Sequence, residues 1–283
     1  LREVSVPVES HGARLDRALA GIVPEFSRSY LQQLLVQGLV SLNGKPVTKS
    51  ATRVKVGDQV VLEMRPTLQS QAFRPEPMHI EVVHEDAHLL VVNKPSGLLT
   101  NPGRSAEMQD CLLSRVQQQF PLAQLVHRLD MSTSGLVVFA LRRKAEAALK
   151  QQFASRSVKK IYRARVWGQI TEQGMVSAPL IADLTQPPLQ KICQKTGKAA
   201  LTYFQRLSFD GQSSLVELRP VTGRSHQLRV HMLELGHPIL GDLIYAEGAA
   251  RDDYPRMMLH AESLRLRHPE TGKSITFSAP VPF

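Results

Sequence analysis

The segment His127-Arg128-Leu129-Asp130-Met131-Ser132-Thr133-Ser134-Gly135 sets a carboxylate between a basic residue and a turn of small residues. It runs directly into the apolar stretch Leu136-Val137-Val138-Phe139-Ala140. So apolar a run reads as a fully buried strand, which puts Asp130 at the edge of a core. An acid there is either held by a cation or used in chemistry. The plain alternative is a structural aspartate capping the turn from Ser132 to Gly135. Three further segments carry residues able to act with it: Val92-Asn93-Lys94-Pro95-Ser96-Gly97-Leu98; Lys160-Ile161-Tyr162-Arg163; and Thr222-Gly223-Arg224-Ser225-His226-Gln227-Leu228-Arg229-Val230-His231-Met232, which leads into Gly236-His237-Pro238-Ile239-Leu240-Gly241-Asp242. His226 and His231 are five apart rather than at the i, i+4 spacing of a helical zinc pair, and no cysteine or third histidine nearby completes a metal site. Neither GxGxxG nor GxxxxGK occurs, so no nucleotide cofactor is implied.

These four segments, in this order, resemble the RluA-type pseudouridine synthases: HRLD-x-x-TSG-x-x-x-x-A is that family's nucleophile signature, Asn-Lys-Pro the turn before it, and Lys-x-Tyr a third motif. The resemblance covers roughly residues 79 to 283. It implies that Asp130 is the catalytic aspartate of uridine isomerisation, in which the N1–C1′ bond breaks and a C5–C1′ bond forms. Attack on C1′, attack on C6 and a glycal-like path all fit the residues. The resemblance makes Arg229 the cation that keeps Asp130 ionised, and a guanidinium suits the task because it forks onto two oxygens and keeps its proton. Tyr162 would lie against the target uracil, and Arg128 would fill the space left when the uridine leaves its stack. Arg224 is assigned to RNA or loop contacts. The alternatives are an ordinary core tyrosine at 162 and a surface salt bridge at 128. Lys159-Lys160 and Arg142-Arg143-Lys144 read as solvated faces, with phosphate contacts to a flanking RNA stem as the other option. The isomerisation is redox-neutral and calls for no cofactor.

The elements that must hold these groups divide the chain in two. From residue 12 to 64, Leu15, Ala18 and Leu19 fall on one face of a helix over 13–20, and Tyr30, Leu31, Leu34 and Leu35 repeat at helical intervals over 28–37. Ser27 is the N-cap of the second helix and Gly38 its stop. Strands over 39–42, 45–47 and 59–63 follow, with Asn43-Gly44 as a tight turn. This pattern resembles the S4 RNA-binding domain, and the resemblance sets Arg14, Arg28, Lys45 and Lys49 on an RNA-facing surface; ordinary solvated charges are the alternative. The proline-bearing stretch 65–78 reads as a linker. Beyond it, strands over 89–92, 136–140, 162–167, 200–204 and 214–218 are interspersed irregularly with helices, one marked by Leu141, Ala145, Leu149 and Phe153. That arrangement argues α+β. The expected architecture is a small N-terminal S4 domain of the αL type over 1–64 and a pseudouridine synthase domain over 79–283 built on a mixed, mainly antiparallel sheet.

Of 283 residues, 35 are Lys or Arg and 25 Asp or Glu, a formal net charge of +10. Both parts carry an excess of bases, which suits a polyanion partner, most simply nucleic acid. The two cysteines, Cys111 and Cys193, form no CxxC pair, so neither a disulfide framework nor a zinc cluster is indicated. Leu1 to Ser10 carries two acids and no apolar core, unlike a signal peptide, and no apolar run approaches the roughly 20 residues that span a bilayer. A soluble, cytoplasmic, monomeric protein without membrane contact is expected. The expected function is pseudouridine synthesis in structured RNA. One rival is a catalytically silent RNA-binding or ribosome-assembly protein, which would not need Asp130, Tyr162 and Arg229 together. Another is a glycosidase or nucleosidase, which normally needs a second carboxylate roughly 5 Å away; the motifs offer arginines and a tyrosine instead. Within the family the resemblance is nearest the compact RluA subgroup, whose members modify hairpin loops of large-subunit ribosomal RNA and transfer RNA anticodon arms. That subgroup typically lacks an S4 domain, which shifts the expected substrate toward ribosomal RNA, with transfer RNA second.

Overall fold

A computed structural model describes residues 1–23, 28–63, 79–103 and 108–283, without the side chains of 28–30 and 33. The stretch 65–78 and Ser27 lie outside the described residues. The described chain separates into two compact units.

The N-terminal unit carries β1 (Arg2–Ser5), α1 (Leu15–Ile22), α2 (Arg28–Val36), β2 (Val40–Leu42), β3 (Lys45–Pro46) and β4 (Gln59–Leu62). Its sheet runs β1-β4-β2-β3. Leu15, Leu19, Leu31, Leu34 and Leu35 pack with Val40, Val54 and Val60 into a closed core. α1 starts two residues later than its apolar spacing suggests, because Arg14 is extended and occupies the N-cap. Asp16, fully buried, explains the local fold. It accepts hydrogen bonds from Arg14 Nε at 3.1 Å and Gln32 Nε2 at 2.8 Å, tying α1 to α2. Gly38 ends α2 with its N–H on Leu35 O and that of Leu39 on Leu34 O, a Schellman pairing. Arg14 is half-exposed, Lys45 and Lys49 are exposed, and the Arg28 side chain is outside the described ones.

The larger unit is built around one ten-stranded sheet, beside which a two-stranded sheet stands apart. In chain order it holds β5 (Glu81–Glu85), β6 (Leu89–Lys94), α3 (Leu112–Gln119), β7 (Gln124–Leu125), β8 (Ser134–Ala140), α4 (Arg143–Ala154), β9 (Lys159–Trp167) and β10 (Gln173–Ser177). There follow β11 (Leu180–Ala182), β12 (Gln190–Ile192), β13 (Leu201–Phe209), β14 (Ser213–Pro220), α5 (Gln227–Glu234), α6 (Ala249–Asp252), β15 (Leu259–Arg267) and β16 (Ser274–Ser278). The ten-stranded sheet runs β10-β13-β14-β9-β15-β8-β6-β5, with β16 added on β15 and β7 on β8. Its described pairings are antiparallel except one, β15 with β8, in which His260 faces Ser134 and Ala261 faces Gly135. The architecture is therefore α+β with a mixed, mainly antiparallel sheet, as its sequence pattern indicates.

β8 is buried along its whole length, as its unbroken apolar run demands, and packs on the core on both faces. α4 follows it, burying Ala145 and Leu149. α5 is unusual: Gln227, Leu228, Arg229, Val230, His231 and Met232 are all buried, so it has no polar face. Its polar side chains are satisfied one by one. Gln227 donates to Leu201 O and Thr202 Oγ1 and accepts from Thr222 Oγ1. His231 is hydrogen-bonded to Thr202 Oγ1 at 2.9 Å and Ala178 O at 3.0 Å, a core role remote from metal binding.

Candidate active site

Two loops from distant parts of the chain are locked together beneath Asp130. Lys94, at the end of β6, has no exposed surface, and its Nζ donates to the carbonyls of Pro95, Leu98 and Met131 at 2.8–3.0 Å. Ser96 Oγ donates to Ser132 O at 2.7 Å, Gly97 N to Met131 O at 2.9 Å, and Thr100 Oγ1 to Leu129 O at 2.6 Å. The Asn-Lys-Pro turn thus fixes the backbone on either side of the carboxylate. Burial pulls the Lys94 ammonium down to about 7, against the pull of Asp130. The Asp130 carbonyl accepts from Thr133 N at 3.1 Å. The turn is closed by backbone, and among the described residues the Asp130 side chain caps no amide within it.

β8 leaves that turn under β15. Ser134 Oγ accepts from Arg256 Nη2 at 2.5 Å and lies 2.8 Å from His260 Nδ1. Burial holds the His260 ring down to about 4. It is therefore neutral, donating from Nε2 to Ala279 O and accepting from Ser134 at Nδ1. Gly135 has φ +113, and a Cβ on it would come within 2.4–2.8 Å of the Ala261 backbone. Only glycine permits so close a crossing.

The Asp130 carboxylate is 22 % exposed and lies 3.5 Å from Arg229 Nη1 and 4.0 Å from His226 Nε2. The expected fork of Arg229 onto Asp130 is not what forms. Arg229 directs its fork at Asp242 instead, Nε to Oδ2 and Nη2 to Oδ1, both at 2.6 Å, and reaches Asp130 with its remaining nitrogen. A guanidinium buried at the base of α5 needs a carboxylate in full contact, and Asp242 has no exposed surface. The Asp242 carboxylate also accepts from Ile244 N and Tyr245 N, and the Tyr245 ring lies 4.9 Å from the guanidinium. The turn carrying Asp242 is pressed against the backbone at Arg256, where a Cβ on Gly241 would stand 2.0 Å from the carbonyl oxygen.

His226 precedes α5 with φ +54, and its Nδ1 lies 2.8 Å from the Tyr245 hydroxyl, which itself accepts from Gln190 N. Tyr245 therefore donates to Nδ1, leaving Nε2–H toward Asp130. Burial pushes His226 below its ordinary value despite the neighbouring carboxylate. Burial pushes the Asp130 carboxyl up, and the charges of His226, Arg229 and Arg128 overcome it, so it sits below its ordinary value. With His226 neutral near pH 7, Arg229 and Arg128 maintain that ionisation.

The carboxylate opens into a cavity of about 520 Å³, lined also by Arg128, Lys160, Tyr162, Arg224 and Arg229. Asp130, Tyr162, Arg229, Arg128 and Arg224 thus share one cavity; Arg14, Lys45 and Lys49 belong to the N-terminal unit. Tyr162 is packed among core residues of both neighbouring clusters, and burial, then Asp130, raises its phenol. Arg128 is exposed and has no ion pair among the described residues, so the surface salt bridge does not form. Arg224 Nε donates to Ala199 O at 3.1 Å. Lys160, expected on a solvated face, lines the cavity. Sequence reasoning assigned no role to Lys94, His226 or Asp242, although all three stand inside the recognised segments. Nothing in the local sequence marks Tyr245.

A family model described as RNA pseudouridylate synthase matches residues 88–234, and the S4 domain model matches residues 13–60. "Dual-specificity RNA pseudouridine synthase RluA" of Escherichia coli K12 is 50 % identical over 211 residues, 74 % of this chain and 96 % of the relative. The protein of that name from Yersinia pestis is 51 % identical over 204 residues, covering 71 % of this chain and 99 % of its own. About a quarter of this chain therefore has no counterpart in those relatives. Among solved structures, Human RNA Pseudouridylate Synthase Domain Containing 1 superposes with a TM-score of 0.63 at 32 % identity, over 74 % of this chain and 87 % of that one.

Proposed function

Since the chain belongs to the RNA pseudouridylate synthase family, with an S4 domain toward its N-terminus, we propose that Asp130 is the carboxylate with which this isomerase converts uridine to pseudouridine. The observation carrying this reading is a carboxylate kept below its ordinary value by an arginine that is itself clamped, on the wall of a cavity it shares with a tyrosine. In the reaction the N1–C1′ bond breaks, a C5–C1′ bond forms, the hydrogen on C5 leaves as a proton, and the freed N1 takes up a proton. Asp130 acts as nucleophile or charge stabiliser beside the sugar, and the charge it needs is supplied by Arg229. Tyr162 presents its ring for stacking on the uracil. Its raised phenol keeps its proton near neutral pH and so donates a hydrogen bond. Arg128, exposed at the rim, replaces the flipped base in its stack, and Arg224 contacts the RNA beside it.

We assign residues 79–283 to catalysis and 1–64 to RNA binding, with Arg14, Arg28, Lys45 and Lys49 as phosphate contacts. The substrate is structured RNA, first large-subunit ribosomal RNA and second transfer RNA. RNA carrying 5-tritiated uridine tests the reading, with ribosomal and transfer RNA transcripts given separately to wild type and to Asp130→Asn. Wild type is expected to release tritium from at least one transcript, and the variant to be slower by about 10⁴-fold or more. Tight binding by wild type without release from any RNA would favour the silent RNA-binding protein.

A further inference from the structure

Lys159 and Lys160 are neighbours in sequence but diverge in β9. Successive strand residues point to opposite faces. Lys159 is exposed, whereas Lys160 shares the face of Tyr162 and lines the cavity. Burial lowers the Lys160 ammonium, and no opposing interaction offsets it: among the described residues it has no ion pair and no hydrogen bond. The cavity walls carry five cations, Arg128, Arg156, Lys160, Arg224 and Arg229, against one carboxylate, Asp130. Arg229 faces Asp130 and Asp242. The other four have no carboxylate partner among the described residues, and Lys160 stands on the strand of the stacking tyrosine. Lys160 Nζ sits beside Gly223 of the cavity wall, where an added Cβ would lie 3.6 Å from it, at ordinary contact distance.

We propose that Lys160 binds the phosphodiester adjoining the target uridine. The inference rests on reading the cavity as the uridine site. A step of two positions along the strand takes Lys160 to Tyr162, about 7 Å, the scale of one nucleotide. A desolvated ammonium facing only the neutral carbonyls of uracil would keep its charge uncompensated, whereas a phosphate neutralises it and accepts charge-assisted hydrogen bonds. Phosphodiesters are the anionic groups of RNA. Lys160 would thereby set how deeply the flipped nucleotide enters, with its base on Tyr162 and its sugar at Asp130.

The test uses Lys160→Met, with Lys160→Arg as the conservative control, in the full chain. Binding of a synthetic stem–loop containing the uridine mapped by tritium release is titrated at several salt concentrations, and tritium release is measured at saturating RNA. Lys160→Met is expected to bind about 10-fold more weakly, with the slope of log affinity on log salt reduced by about 0.7–1. It should melt no earlier than wild type, because a desolvated charge has been removed. Lys160→Arg should restore the slope. A methylphosphonate replacing the phosphate on one side of the target should reproduce the loss with wild type and add nothing to Lys160→Met. Unchanged affinity and slope with turnover lost would overturn the phosphate assignment in favour of a role in the chemistry. An early melt would overturn it in favour of a structural role. Failure of the uridine reading is separately visible, as absence of tritium release by wild type from every transcript.

Discussion

Arg229 is shared by two acids with different needs: Asp242, fully buried, takes its fork, and Asp130, at the cavity, takes one nitrogen. This division predicts separable effects. Arg229→Met leaves Asp242 as a buried unpaired carboxylate and should destabilise the protein by about 3–5 kcal/mol. Adding Asp242→Leu should recover much of that loss in a urea melt. Activity should not follow, because Asp130 has lost the contact with Arg229 in both variants and keeps only the more distant charge of Arg128. One of the charges that oppose burial is then missing, so the carboxyl should rise from its depressed value. In the proposed role the ionised form is the working form, so rate should be lost as pH falls through this pKa. In wild type that limb lies below about pH 3.9, the ordinary aspartate value; in either variant it should move to higher pH. Stability is linked in the same direction: the Asp130 contribution is present above the unfolded carboxyl's value and lost as pH falls through the depressed folded one. A pH–rate profile whose acid limb stays put in the stable double variant would remove Arg229 from the role of holding Asp130 ionised.

At the scale of elements, the parallel crossing of β8 and β15 determines where Asp130 stands. Gly135→Ala would drive a methyl to within 2.4 Å of the Ala261 backbone at a φ that L-residues avoid. It should cost about 3 kcal/mol or more in urea midpoint and depress tritium release with it. A variant as stable as wild type would show that the crossing can open without harm. Much of this was legible in sequence where the signal is local. The apolar run of β8, the Asn43-Gly44 turn and the spacing of Ala145, Leu149 and Phe153 each state their own structure, whereas Leu141 precedes the helix. Asp130 was legible because motif and buried strand adjoin. α5 was not, since a helix whose first six residues are all buried has no apolar stripe, and its Gln227, Arg229 and His231 are satisfied by partners from β13, the turn at 222 and the turn at 242. The clamp of Arg229 was missed for the same reason: a guanidinium's partner is a matter of tertiary contact, and two carboxylates compete for it.

For the whole molecule, a net charge of +10 is distributed over both units. The phosphate contacts proposed for the S4 domain would add affinity without reading sequence. Deleting residues 1–75 is therefore expected to weaken RNA binding and flatten its salt dependence, while turnover on saturating RNA changes little. An unchanged salt slope with collapsed turnover would refute that division of labour. The same crossing that frames the catalytic loop also has a bearing on when the enzyme becomes active. Ser134 bonds to His260 across 126 residues of chain, and His260 bonds in turn to Ala279. At a synthesis rate of roughly 5–20 residues per second, Asp130 emerges on the order of ten seconds before the strand that sets its position. A nascent chain therefore lacks the crossing that fixes Asp130 until residues 259–279 have left the ribosome, and the proposed activity is expected only after that point.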